Sequence, residues 1–121
     1  MFQDRQNTLL IVEEDKPTQW MYGSDISSFN TKVIPAMNED EAIDAVEKFW
    51  DSIDMIIVNS SLKWKETVWL VERIKNRFKW LIVSTVDDYS KSKKFMDAWA
   101  RHVINKKTTN VSKSILSLIP N

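Results

Sequence analysis

The sequence predicts an α/β protein whose parallel sheet is covered by helices on both faces. Three observations carry this. Short, continuous apolar runs recur along the chain, each stops at polar residues, and amphipathic helical patterns separate them. A strand that is apolar at every position must be buried on both faces, and a βα repeat connects such strands in parallel.

The first run is Thr8-Leu9-Leu10-Ile11-Val12, which ends at Glu13-Glu14-Asp15. The second strand is shorter, Lys32-Val33-Ile34-Pro35-Ala36, and its Pro35 fits an edge position that needs no amide donor. Met55-Ile56-Ile57-Val58 follows, ending at Asn59, then Trp80-Leu81-Ile82-Val83, ending at Ser84-Thr85. His102-Val103-Ile104-Asn105 is the fifth.

Helices fill the gaps. Residues 17–28 form the most diluted pattern, because Gly23 and several serines interrupt it. Asn38 is a cap for the next helix, Glu39, Asp40 and Glu41 are its first-turn acids, and Ala42, Val46, Phe49 and Trp50 make its inward stripe. Trp64, Val68, Val71, Ile74 and Phe78 make a cleaner stripe. A helix over about 90–99 turns Phe95, Met96 and Trp99 inward, and a last one carries Val111, Ile115, Leu118 and Ile119 before Pro120. Core packing explains Trp50, Trp64 and Trp99, whereas Trp20, Trp69 and Trp80 become partner anchors wherever they prove exposed.

The 121 residues make one domain, 1–121, with enough chain to bury a core unaided. Cys is absent and His102 is the single histidine, which excludes disulfide scaffolds and zinc modules. Residues 1–8 are polar, and no apolar run approaches the roughly 20 residues that span a bilayer, so a soluble, cytoplasmic protein is expected. A formal charge of zero argues against a general nucleic-acid binder. That zero hides an asymmetry: residues 1–60 carry 4 basic and 12 acidic side chains, residues 61–121 carry 13 and 5.

In an open parallel sheet the functional crevice lies at the carboxyl ends of the strands. Glu13 and Glu14, Asn59, Ser84 and Thr85, and Lys106 should converge there. Taken singly, the acids also suit the dipole of the following helix, and Lys106 suits a plain surface position. In this order, however, the set resembles the response-regulator receiver family, whose members place an acid pair after the first strand, a phosphoacceptor Asp after the third, a Ser or Thr after the fourth and a Lys after the fifth. The stretch 33–46, with Ala36, Asn38, Glu41 and Ala42, also looks like the family's second strand and helix. The resemblance covers nearly the whole chain and implies a doubly wound, five-stranded, flavodoxin-like sheet of order 2-1-3-4-5. It also implies a role in two-component or phosphorelay signalling of the bacterial type.

The departures from the family decide what kind of member is expected. Asn59 stands at the phosphoacceptor position, and an amide has no carboxylate oxygen to attack a phosphoryl donor. Glu13 and Glu14 replace the usual Asp residues and set each carboxylate one methylene farther out, so no cofactor is expected beyond weak Mg²⁺ at Glu14 and the Ser61 carbonyl. Val103 stands where the family often has an inward-swinging aromatic, Lys107 stands where it has Pro, and Ser60-Ser61-Leu62-Lys63 lacks the usual Pro and Gly. Ser84 is the switch-like hydroxyl, and Lys106 pairs with Glu13 or Glu14 across the pocket.

The resulting expectation is a non-phosphorylatable pseudo-receiver, not an enzyme, that binds a signalling protein or a second copy of itself. Its competitor is a working receiver that accepts phosphate at an atypical site with Mg²⁺. A small ligand-binding domain or enzyme fits poorly, since one glycine cannot build a glycine-rich phosphate cradle. Under the family's strand order the charge asymmetry becomes spatial. Lys91, Lys93 and Lys94, with Arg101, Val103, Lys107 and Lys113, then form a basic partner face suited to an acidic surface.

Overall fold

Leu9, Leu10, Ile11 and Val12 leave neither face of their strand tolerant of water. In the computed structural model of the protein, which describes residues 7–27, 30–59, 81–86, 102–105 and 110–119, they lie in β1 (Asn7–Val12). Around it stand β2 (Thr31–Ala36), β3 (Met55–Asn59), β4 (Leu81–Val86) and β5 (His102–Asn105). All neighbours are parallel, in the order β2-β1-β3-β4-β5, as the resemblance implied. The described helices are α1 (Lys16–Ser27), α2 (Glu39–Phe49) and α3 (Val111–Leu118).

Alternation along the central strands builds two cores. Leu10, Val12, Ile56 and Val58 face α2 and pack on Ala42, Ala45 and Val46. Leu9, Ile11, Met55 and Ile57 face the other way, onto Tyr22 and Ile26 of α1 and Val111 and Ile115 of α3. The sheet is therefore doubly wound, and each fully buried Leu or Ile contributes about 1.5–3 kcal/mol. No described helix is long and apolar enough to cross a membrane.

Polar side chains set the boundaries. Asp15 caps α1, its carboxylate accepting from the Thr18 amide at 3.0 Å and its carbonyl from the Gln19 amide. Asn38 caps α2 by accepting from the Glu41 amide at 2.9 Å, and Asn110 caps α3 through the Lys113 amide at 3.0 Å. At the head of β3, Asp54 holds β1 twice: its amide donates to the Thr8 carbonyl and its carboxylate accepts from the Thr8 amide, both at 2.7 Å. Asn30 enters β2 with φ of 60°, a left-handed conformation that an Asn side chain tolerates.

β2 is an edge strand, as Pro35 suggests. The Ala36 carbonyl accepts from Glu13, so it faces β1. By alternation the residue before it faces outward, where a proline has no donor to lose.

One expected core residue is corrected. Trp50 is 57% exposed, because α2 ends at Phe49 and the chain turns there, with Ser52 and Ile53 both donating to the Phe49 carbonyl. Ile53 enters the core instead, 1% exposed, while Phe49 lies half-buried with the Lys32 and Lys48 ammonium groups 5.4 and 5.6 Å from its ring centre. The helices expected around Trp64 to Phe78 and over 90–99, together with Trp69, Trp80 and Trp99, lie outside the described residues.

Candidate functional site

The register brings the strand ends together. Val12 is level with Val58, so Glu13 and Asn59 are the next positions on adjacent strands. Asn59 is level with Thr85, and Ser84 with Val58. On β5, Val103 is level with Ser84 and Ile104 with Thr85. The backbone thus places Glu13, Asn59 and the Ser84-Thr85 pair at one edge of the sheet. For Asn59 and Ser84 the description stops at backbone position, and Ser61, Lys91, Lys93, Lys94, Lys106 and Lys107 lie outside the described residues.

The two glutamates differ in their surroundings. Glu13 is 1% exposed and its carboxylate accepts from the Asp15 amide at 2.8 Å, whereas Glu14 is exposed. Next to Glu13 lies Tyr22, 3% exposed, whose phenol is pushed up to about 12, first by burial and then by the Glu13 charge. Asp15, third in the acidic run, is committed to capping α1. Of the three acids, one carboxylate is thus engaged with backbone, one faces water and one serves a helix start. Among the described residues no group of three or more His, Cys, Asp or Glu is placed to hold a metal ion.

Val103 is half-buried and packs against the α2-facing core. It is level with Ser84 in the pairing of β4 and β5.

Sequence reasoning missed Gln19. This side chain, 6% exposed, reaches from α1 to the ends of β1 and β2 and donates its amide to the carbonyls of Ile11 (2.9 Å), Ala36 (3.2 Å) and Glu13 (3.3 Å). Its Oε1 is buried with no hydrogen-bond partner in the described structure. The available signal was a polar residue in register with Tyr22 and Ile26 on the inward stripe. A second link missed is the Ser112 hydroxyl, which donates to Asp25 at 2.9 Å and ties α3 to α1.

No protein-family model matches the sequence, and none of the curated proteins compared with it does either. Solved structures do match. A two-component response regulator from Clostridium difficile superposes with a TM-score of 0.79 at 18% identity, covering 93% of each chain. A CheY-like response-regulator receiver domain protein from Methanospirillum hungatei JF-1 gives 0.78 at 18% identity, over 93% of this chain and 89% of that one. A third is similar at 0.76 and 16% identity, over 92% and 85%: the Saccharomyces cerevisiae complex of the histidine phosphotransfer signalling protein Ypd1 with the receiver domain of its downstream response regulator Ssk1. The fold is that of the response-regulator receiver domain.

Proposed function

We propose that the chain is a pseudo-receiver, a non-catalytic protein-interaction module of bacterial-type signal transduction that works without phosphorylation of its own. The observation that carries this reading is Asn59 at the carboxyl end of β3, beside Glu13 and level with Thr85. Where receivers present a nucleophilic carboxylate, this chain presents an amide. Support comes from the spent or scattered acids at 13–15, from Val103 beside Ser84, and from Lys107 in place of proline. The reading needs no cofactor and gives Mg²⁺ no step. It takes the chain to act in the cytoplasm on a protein partner, as the receiver domain of Ssk1 meets Ypd1. The basic face at Lys91, Lys93, Lys94 and Lys107 is one candidate contact, for an acidic surface.

The test is incubation with Mg²⁺ and a small acyl-phosphate donor, followed by intact-mass analysis. The unmodified mass is expected. A stoichiometric phosphoryl adduct would overturn the proposal in favour of a receiver with an atypical acceptor. Asn59→Asp should recover only a fractional adduct, because the altered acids remain.

A further inference from the structure

A groove of about 640 Å³ opens between α1, β2 and the start of α2, at the β2 edge of the sheet, with β1 between it and the strand that carries Asn59. Its apolar wall is Trp20, Val33 and Pro35, and its floor along α1 is Gly23. Trp20 is 76% exposed, an unusual place for the largest apolar side chain when a buried stripe lies on the same helix. Gly23 has nothing within 4 Å of where a Cβ would stand, so the floor is open space rather than a close packing contact.

Two features bear on the occupant's charge. The lining holds one charge of each sign, Glu41 and Lys16, and the rim tips the balance: Asp40 and Asp15 beside them are exposed acids, and the exposed face of α2 adds Asp44 and Glu47 before Lys48. Separately, Gln19 lines the groove, is more than nine-tenths buried, and leaves its Oε1 unpartnered, which is an acceptor lacking a donor. Acids, an orphaned acceptor and an exposed indole together favour a cation carried on an apolar segment. The mode of docking is biased by Pro35, whose outward position removes one hydrogen-bond donor from the open edge of β2 and so disfavours an added strand. Engagement through side chains is favoured instead.

The geometry points to this groove as the docking site for a basic amphipathic segment of a partner protein, with an Arg or Lys beside Trp20 and Glu41. The inference goes beyond the pseudo-receiver reading and is independent of the chemistry at Asn59.

The experiment titrates the isotope-labelled full chain with two synthetic amphipathic peptides that share length and apolar face, one bearing Arg and the other Glu. Backbone amides and the Trp20 indole are followed by NMR. The Arg peptide should move signals of α1 and β2 saturably and the Glu peptide should not. Gly23→Leu, which fills the floor, should abolish that response while the melting temperature is kept. Glu41→Lys should weaken binding about fivefold and Lys16→Glu should tighten it by a similar factor. The inference is overturned by equal response to both peptides, by shifts centred elsewhere, or by undiminished binding in Gly23→Leu. It is equally overturned if the same signals move when the chain alone is concentrated, which would make a second copy the occupant.

Discussion

α1 and α2 have nearly the same length, 12 and 11 residues, and cover opposite faces of one sheet, yet they distribute their side chains in opposite ways. α2 buries Ala42, Ala45 and Val46 and turns Asp40, Glu41, Asp44 and Glu47 to water. α1 buries Gln19 along with Tyr22 and Ile26, and turns Trp20 and Met21 outward. α2 satisfies its own packing and, up to its C-cap Trp50, offers mainly charge. α1 holds the sheet with a hydrogen-bonding amide and keeps its largest apolar surface free, which is the division expected of an element that is both scaffold and contact surface.

The sharpest way to break this comparison is to truncate each face of α1. Ile26→Ala should cost about 2–5 kcal/mol by opening a cavity in the core, whereas Trp20→Ala should stay within about 0.5 kcal/mol, both read from urea unfolding. Equal losses would show that Trp20 is part of the core after all.

A second probe uses pH. Tyr22 is held neutral, its folded pKa pushed to about 12 from an ordinary 10.0, so the folded state keeps a proton that the unfolded state releases between these values. The stability tied to the neutral phenol is intact below pH 10 and is lost as pH rises through about 12. Unfolding midpoints should fall over that window, and in Tyr22→Phe this component of the fall should vanish. The smallest expected effect is Gly23→Ala. Its φ is not positive and its Cβ meets nothing, so the change should stabilise the helix by about 0.5–1 kcal/mol in thermal unfolding.

β1 and β3 were legible because burial on both faces demands an unbroken apolar run, and β3 ends where Asn59 breaks it; β4 instead runs on through Ser84 and Thr85 to Val86, past the end of its apolar run at Val83. Asn38 and Pro35 were legible for local reasons, a cap and a missing donor. α1 was nearly illegible, because Gln19 inside and Trp20 outside cancel the periodicity that marks an amphipathic helix. Trp50 misled because spacing alone continues a stripe past the point where the Phe49 carbonyl turns the chain. The Asn59 site could be read as an order of residue types. For Gln19 only its place on the inward stripe could be read, since its partners are backbone carbonyls up to 17 residues away, which side-chain pattern does not name.

β1 supplies Leu9 and Ile11 to one core and Leu10 and Val12 to the other, and β3 does the same with alternate residues. Neither layer can therefore close around its helices until both strands are present. On a growing chain that means β1 waits for residues 55–59, some forty-five positions later, with α1, β2 and α2 already made but the centre of the sheet incomplete. Assembly of the sheet centre thus waits on β3, and substitutions in β3 should be felt more in the rate of folding than those in α3.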